Sequence, residues 1–473
     1  MLVSIPSIKR EKLMLIFKIW LFIYTFMGTN TFLRESFLVT LCVWPMFLFA
    51  GILCFDRIIH YKSYIKTPGI LLLIAMCGSA FISMVLNYQY GLKENFINLI
   101  LWCIYFSLLY TNANNRTKES IIKECEIIGW LIIIYMAVNV IAAFAMMATG
   151  YSGCKIGSDG YEGFYGFSIG RLWGMFVNLN AASVTAVIAI SFSLYFIAKK
   201  NKLLLRLLLS LNCVIQICYI SFSDSRIGRL CLCILFATVV LLKGYYFSKE
   251  RKIFVKFLVI IAVIAVTSIA YIIPVQIKQQ YNNWVMWEEN NNNFSMEEDI
   301  NSSSHLIERG YDLSGDVSNR RFDVWKSGLE VFLSKPLFGT SFRGVTEYSL
   351  ENLPNTYIVN NDYKQLDTFD NELINILASQ GIVGIIVLIL FVIRVLQTIF
   401  PQLFSLKKDI NFWILSFSIV LILCASAMTV STMFYNSTPN TNCFWIFLGA
   451  LVALANKNRL QNERIVKKNG KKN

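Results

Sequence analysis

Long apolar runs separated by short polar segments organise most of the chain. A helix needs about 20 apolar residues, each adding a rise of 1.5 Å, to cross the hydrocarbon core of a membrane. Twelve runs approach that length, and each predicts a membrane-spanning helix. The predicted spans are residues 13–29, 36–55, 69–87, 95–111, 127–148, 173–197, 203–221, 227–247, 254–273, 373–396, 411–433 and 441–455.

One long hydrophilic segment, residues 274–372, interrupts this pattern. Its first half is acidic and rich in Asn, a composition typical of a mobile loop. In its second half, four apolar residues recur at helical spacing: Phe322, Trp325, Leu329 and Phe332. Ser318 and Asn319 are candidate caps, and Pro336 should stop the helix. The pattern predicts an amphipathic helix over residues 320–333, with one apolar face, that lies on the membrane surface or covers the spans.

The distribution of Lys and Arg orients the spans. Positive residues concentrate in alternate gaps between the runs, which are residues 9–12, 57–66, 116–123, 199–206, 243–256, 394–408 and the tail from residue 457. Cytoplasmic segments carry this excess in membrane proteins. Both termini are therefore predicted in the cytoplasm, and residues 274–372 and the smaller loop 150–170 are predicted outside it.

Composition agrees with this architecture. Hydrophobic residues make up 56% of the chain and charged residues only 15%, which excludes an ordinary water-soluble protein of this length. The predicted fold class is an all-α polytopic integral membrane protein with about twelve transmembrane helices and one large extracytoplasmic loop containing short amphipathic helices. The predicted domains are a membrane bundle of about nine spans, the large loop, about three C-terminal spans and a basic cytoplasmic tail, at residues 1–273, 274–372, 373–456 and 457–473.

Charge and cysteine usage exclude several functions. The net charge of +14 is spread over the gaps between spans, so it indicates topology and no nucleic-acid surface. The cysteines lie almost entirely within apolar runs, and Cys231 and Cys233 lack the further ligands of a zinc site. The sequence also has no P-loop, GxSxG or HExxH motif. No metal, cofactor or nucleotide is therefore predicted.

Two candidate binding positions follow predicted external segments in the first half of the chain. Arg171 opens RLWGMFVNLNAAS, where Asn178 and Asn180 enter an apolar span; Arg171 could bind a phosphate or sugar, or lie at the interface as a structural residue. Arg226 lies in SDSRIGRL. An Arg on the predicted outer side opposes the topology bias, which favours a bound anion or a salt bridge to Asp224.

Two further candidates flank the predicted amphipathic helix. Arg320 and Arg321 begin it, and Arg343 follows it; guanidinium groups near a membrane surface suit a lipid diphosphate, although a solvated helix start is the alternative. Asp370 and Asn371 precede the tenth predicted span. A carboxylate there could accept a proton from a sugar hydroxyl or simply cap the helix.

These motifs resemble the O-antigen polymerase and ligase family of bacterial envelope proteins, which includes capsular polysaccharide polymerases. The likeness lies in RLWGMFVNLNAAS, SDSRIGRL, RRFDVWKSGLEVFLSKPLFGT and DNELINILASQGIVG, in this order over residues 170–390. In this family, basic positions matching Arg171, Arg226 and Arg321 are thought to handle diphosphate and sugars. The ligase branch has a His where this chain has Asp370, and that departure favours a polymerase.

The resemblance implies a metal-independent glycosyltransferase of the cytoplasmic (inner) membrane, for O-antigen or capsule biosynthesis. Such an enzyme polymerises undecaprenyl-diphosphate-linked oligosaccharide on the outer face of the membrane, where a chain-length regulator and a flippase are expected partners. Arg321, Arg226 and Asp370 are predicted to be catalytic. Substrate binding is predicted for the remaining set: Arg171, Arg320, Arg343, Asn180 and Asn371. O-antigen ligation and a lipid-linked oligosaccharide flippase are the alternative functions.

Overall fold

A helix coincides with each of the twelve predicted spans. The computed structural model describes residues 7–111, 116–157, 162–292, 306–307, 320–361, 366, 368–404 and 409–469. Within these residues, eight helices are long and apolar enough to cross a membrane, and two shorter apolar helices, Ile70–Leu86 and Ile410–Ser426, accompany them. The polytopic, predominantly helical fold class is confirmed, while the number of twelve spans stays a prediction.

The first half of the described chain is helical up to residue 148. Its helices are α1 (Ser7–Gly28), α2 (Phe37–Ile59), α3 (Tyr61–Tyr64), α4 (Ile70–Leu86), α5 (Leu92–Ile104), a π-helical turn (Tyr105–Tyr110) and α6 (Lys118–Ala148). The later helices are α7 (Leu179–Lys199), α8 (Leu203–Phe222), α9 (Arg226–Ser248), α10 (Ile253–Asn292), α11 (Arg321–Ser334), α12 (Val345–Asn352), α13 (Glu372–Leu403), α14 (Ile410–Ser426) and α15 (Pro439–Asn469).

A small antiparallel sheet follows α6. Its strands are β1 (Gly153–Ile156), β2 (Glu162–Ser168) and β3 (Arg171–Gly174), in the order β1-β2-β3. The span predicted from residue 173 therefore begins later, at α7. From hydropathy alone, residues 150–174 are predicted to be a loop and the start of a span. The reason is that β2 (EGFYGFS) lacks the alternation of polar and apolar residues that is typical of a half-buried strand.

The chain forms two compact units. The first contains Met1–Thr25, Leu41–Glu126 and Ser318–Asn473, and the second contains Phe26–Thr40 and Ile127–Val317. Segments distant in sequence share a unit, because packing follows contact between helices and not chain order. The division at residues 273, 372 and 456 concerns membrane segments and stays a prediction.

Helix α10 extends into the segment predicted as a loop. It runs through Pro274 to Asn292, so the first part of the hydrophilic segment is helical. Asn282 on this extension binds the backbone of Ile307, accepting from its N (2.9 Å) and donating to its O (3.0 Å). The rest of the Asn-rich stretch, residues 293–305, lies outside the described residues.

Helix α11 lies where the amphipathic helix is predicted, and small residues lie on the face that packs inside the protein. Its buried residues are Val324, Ser327, Gly328 and Val331, and they pack toward the cluster around Phe369 and Ala378. Of the apolar residues in the predicted pattern, Phe322 is 67% exposed and Leu329 46% exposed, and their contact with the membrane surface stays a prediction. Small residues decide the outcome, because Gly328 lets α11 approach Ile374 of α13 more closely than any side chain would permit.

Helix α13 is broken in its first third. Gly381 has φ 62° and ψ −157° inside the helix, a combination that essentially only glycine adopts. The segment 336–341 pairs backbone groups near this break. Ile382 N donates to Pro336 O (2.8 Å), and Ser341 N donates to Ser379 O (3.0 Å). The segment after α11 is thereby fixed against the membrane helix that follows Asp370.

Candidate functional site

The candidate residues are divided between the two units. In the second unit, Arg171 is the first residue of β3, and its Nε donates a hydrogen bond to Ser223 O at 2.8 Å. The Ser223 and Ser183 hydroxyls lie 2.9 Å apart. These bonds join β3, α7 and the turn before α9, so Arg171 has a defined position beside that turn and is not a loosely placed interface residue.

Arg226 begins α9 and is exposed. Ser225 caps the helix by accepting from Gly228 N at 3.2 Å, and its hydroxyl donates to Asn180 Oδ1 at 3.0 Å. Asn180 therefore holds the turn that presents Arg226. Since a helix N-terminus carries partial positive charge, Arg226 adds a full charge to an end that already favours anions.

Two cations that the sequence analysis did not select accompany this group. Asp224 is buried and has φ 46°. Its Oδ1 lies 3.5 Å from Arg229 Nη2, and its Oδ2 lies 3.0 Å from Lys278 Nζ. The position of Arg229, one turn after Arg226, was the signal in the sequence that could have indicated its place in this group. Lys278 had none, because only the packing of α10 against α9 brings it to Asp224.

Asn178, the other Asn of the RLWGMFVNLNAAS motif, has a local role. It is the N-cap of α7, and its side chain accepts from Ala181 N at 3.0 Å. Capping satisfies an amide that the first turn of the helix cannot pair internally. The N-cap therefore fixes where α7 begins, a few residues after Arg171.

In the first unit, Arg320 and Arg321 occupy the start of α11. Arg320 is the N-cap residue, with φ 60° and no side-chain cap, and its guanidinium lies 3.8 Å from the exposed Asp323 carboxylate. The predicted caps, Ser318 and Asn319, lie outside the described residues. Arg321 is half-buried, and its charge acts on Asp370, as the electrostatics of that carboxyl show.

Asp370 is not the cap of α13. Asn371 caps it, because its Oδ1 accepts from Leu373 N (3.0 Å) and Ile374 N (3.3 Å). Asp370 has φ 51°, keeps an exposed surface and accepts at Oδ1 from the Thr368 hydroxyl (3.4 Å). The surrounding protein raises the pKa of the Asp370 carboxyl, while the Arg321 charge and the Thr368 hydrogen bond lower it. A carboxylate that keeps an exposed surface within the influence of a guanidinium can accept or orient a proton.

Arg343 is held by both its backbone and its side chain. Asn95 accepts from Arg343 N and donates to Arg343 O, each at 2.7 Å. The Arg343 guanidinium lies 3.9 Å from the centre of the Tyr435 ring and donates to Tyr435 O at 3.0 Å. Asn95 and Ser341 also line a small cavity with room for about one water molecule. Asn95 was not selected from the sequence, because one Asn in an apolar run carries no signal of its partner.

The helices and their apolar faces define a polytopic membrane protein with clustered cations at the ends of its helices. Residues 211–389 match the family model described as O-Antigen ligase. The match confirms the resemblance to an O-antigen polymerase and ligase family over these residues, and it supports glycosyl transfer at the family level. It includes Arg226, Arg321 and Asp370 but not Arg171 or Asn180. A comparison with curated proteins found no match.

Proposed function

We propose that the protein is a polysaccharide polymerase of the cytoplasmic membrane, acting on undecaprenyl-diphosphate-linked glycan at the outer face. The observation that carries this proposal is the Asp370 carboxylate. It keeps an exposed surface, and its pKa is raised by partial desolvation and lowered by the positive charge of Arg321. Asn371, and not Asp370, caps the helix. The ligase branch of the family has a His at this position, so the carboxylate favours polymerisation.

In the proposed reaction, a hydroxyl of a lipid-linked repeat unit attacks the anomeric carbon of the growing glycan. The new glycosidic C–O bond forms as the bond between that carbon and the diphosphate oxygen breaks. Asp370 orients the attacking hydroxyl and accepts its proton. Arg321 stabilises the negative charge that develops on the departing diphosphate. Arg226, in the second unit, keeps its assignment as a catalytic residue. Arg171, Arg320, Arg343, Asn180 and Asn371 are assigned to substrate binding.

The proposed setting rests on the charge pattern for the orientation and on the family resemblance for the partners. Both termini lie in the cytoplasm, a flippase delivers repeat units to the outer face, and a chain-length regulator sets the extent of polymerisation. No metal is assigned to the reaction, because arginines supply the positive charge that a divalent ion would otherwise provide.

Arg321→Ala and Arg226→Ala test the polymerase assignment in cells that lack the wild-type protein. Each loses charge-assisted bonds to phosphate worth about 1.5–3 kcal/mol, so polymer yield should fall by about tenfold or more. Gel analysis of surface glycan should show single-repeat material. Lys326→Ala is the matched control: this cation lies on the same helix as Arg321, its side chain is 76% exposed and its partner is the surface residue Glu330.

Unchanged polymer length and yield in both arginine variants, at normal protein abundance, would refute the assignment. Ligation is the second candidate, because the matching family model carries the description O-Antigen ligase. Full-length polymer retained on its lipid carrier in the deletion strain would indicate a ligase. Accumulation of repeat units on the inner leaflet would indicate a flippase.

A further inference from the structure

Three consecutive residues between α14 and α15 are held by an unusual set of bonds. Glu372 Oε1 accepts from the amide nitrogens of Met433 (2.6 Å), Phe434 (3.0 Å) and Tyr435 (3.5 Å). Glu372 is only 3% exposed. One buried carboxylate oxygen thus collects three backbone donors in a row. We call residues 433–435 the strap.

The carbonyl groups of the strap are bonded as well. Trp445 Nε1 donates to Met433 O (3.1 Å), and Trp102 Nε1 donates to Phe434 O (2.8 Å). Arg343 Nη2 donates to Tyr435 O (3.0 Å). All six main-chain polar groups of the strap therefore bond to side chains, from Glu372, two tryptophans and Arg343. Three residues of irregular backbone are specified as tightly as a turn of helix.

The last residue of the strap determines where the Arg343 guanidinium lies. Tyr435 offers Arg343 both its carbonyl oxygen and the face of its ring, 3.9 Å from the guanidinium carbon. The centre of the Phe342 ring lies 4.7 Å from the centre of the Trp102 ring and 6.0 Å from that of the Tyr435 ring. A guanidinium fixed on one side by a carbonyl and an aromatic ring is directed by them, since planar stacking restricts its rotation.

Glu372 is also adjacent in sequence to residues that are assigned to the proposed reaction. It follows Asp370 and Asn371 directly, and its own amide donates to Ala427 O at 2.9 Å. The carboxylate therefore ties the start of α13 to the loop before α15. Through that loop, the segment that presents Asp370 and the residue that directs Arg343 share one buried anchor.

We infer that Glu372 is a positioning residue, which fixes the strap so that Tyr435 holds the Arg343 guanidinium for an anionic part of the substrate. The chemical class of that ligand is a phosphate or diphosphate, and its assignment rests on the proposed function. The positioning itself does not, because it can be measured on Arg343 directly.

Arginine footprinting tests the positioning without any activity assay. Purified full-length protein in detergent is treated with phenylglyoxal, and modification of each Arg is followed by mass spectrometry. Glu372→Ala should raise the modification rate of Arg343 about tenfold, as Tyr435→Ala should, because both release its constraint. Glu372→Gln keeps an acceptor oxygen and should lie between wild type and Ala. Tyr435→Phe keeps the ring and carbonyl and should match wild type.

Two controls separate positioning from general loosening. Arg320, whose side chain is 61% exposed, should react equally in all variants. Glu351→Gln removes a carboxylate that accepts from Tyr90 OH at 2.6 Å in the same unit, and it should leave Arg343 unchanged. An unchanged Arg343 rate in folded Glu372→Ala would overturn the inference, as would an equal rise at Arg320.

Kinetics then test the ligand class. If Glu372 acts through Arg343, Glu372→Ala and Arg343→Ala should each raise KM for the lipid-linked donor about tenfold, with a smaller change in kcat. The double variant should be no worse than Arg343→Ala alone. Multiplied effects would overturn the coupling of Glu372 to Arg343. If the wild-type protein shows no transfer activity but Glu372→Ala still changes the footprinting of Arg343, the proposed function is refuted and the positioning is supported.

Discussion

At the residue scale, four polar side chains at the start of α13 have different tasks. Asn371 caps the helix, and Glu372 anchors residues 433–435. Asn375 accepts from Phe369 N (3.0 Å) and donates to the Ser431 hydroxyl (2.7 Å). These neighbours fix the backbone, so Asp370 can hold φ 51°, an uncommon conformation for a non-glycine residue. Its carboxylate keeps an exposed surface, as the proposed role in orienting the nucleophile requires.

The pH dependence of activity should reveal the state of Asp370. The surrounding protein partly desolvates the Asp370 carboxyl and raises its pKa, so the ionised form is lost at a higher pH than for an ordinary aspartate as the solution is acidified. If that form orients the nucleophile, the acid limb of the pH–rate profile lies above the usual aspartate range. Thr368→Val removes a hydrogen bond that lowers the pKa, and should shift this limb to still higher pH.

The comparison requires kcat/KM for wild type and Thr368→Val across the acid range. Ser334→Ala, which loses a hydroxyl bonded to Val331 O at the end of α11, is a suitable control and should keep the wild-type profile. An acid limb that stays in place, or moves to lower pH, in Thr368→Val would remove Asp370 from the titrating step.

At the element scale, the break in α13 is filled by another segment of the first unit. The segment 336–341 supplies backbone partners to residues 378–383 where the helix cannot pair them itself. Asn87 Nδ2 and Ser83 Oγ add bonds to Gly339 O (3.0 Å) and Ser379 O (2.7 Å). Unpaired backbone groups within a membrane cost several kcal/mol each, so the break is tolerated because protein groups fill it.

Gly381→Ala should therefore be strongly destabilising. A Cβ there would overlap the carbonyl groups of Pro336 and Leu337, and φ 62° with ψ −157° is strained for alanine. A loss of about 3 kcal/mol or more is expected. Thermal unfolding in detergent and protein abundance measure it.

Gly78→Ala is the matched control, because nothing lies within 4 Å of its added Cβ in α4. Alanine favours helix over glycine by about 1 kcal/mol, so this variant should be neutral or slightly stabilised. Equal thermal stability of the two variants would contradict the account of the break.

At the scale of the whole molecule, orientation in the membrane is the property most open to a direct test. Cys154 lies in β1 and is exposed, whereas the other cysteines lie in helices. The charge pattern predicts β1 outside the cytoplasm. A membrane-impermeant maleimide should therefore label wild-type protein in intact spheroplasts but not Cys154→Ser.

Lys200→Cys on the Cys154→Ser background provides the control for that experiment. Residue 200 is exposed between α7 and α8, in a gap predicted to be cytoplasmic, so it should react only after permeabilisation. Labelling of Lys200→Cys in intact spheroplasts, with protection of Cys154, would reverse the predicted topology.

The candidate residues show how far sequence reasoning reached. Arg226 and Asp370 were selectable because a charge at the end of an apolar run is costly and therefore conspicuous. Arg321 was selectable because it begins the amphipathic pattern in the hydrophilic segment. Lys278, Asn95 and Glu372 were not, because their partners are 54, 248 and 61 residues away along the chain. Nothing in the local pattern around each of them indicates such a partner.

The sequence by itself determined the apolar helices, although not the three strands after α6. Each apolar run became a helix, because burying or inserting that many apolar side chains favours a conformation that pairs its own backbone. The stop at Pro336 and the helix over α11 followed from local chemistry in the same way. Tertiary structure alone decided which face of α11 is buried, where α13 breaks and what Glu372 holds. Those outcomes depend on small residues such as Gly328 and Gly381, whose value lies in how closely another segment can approach them.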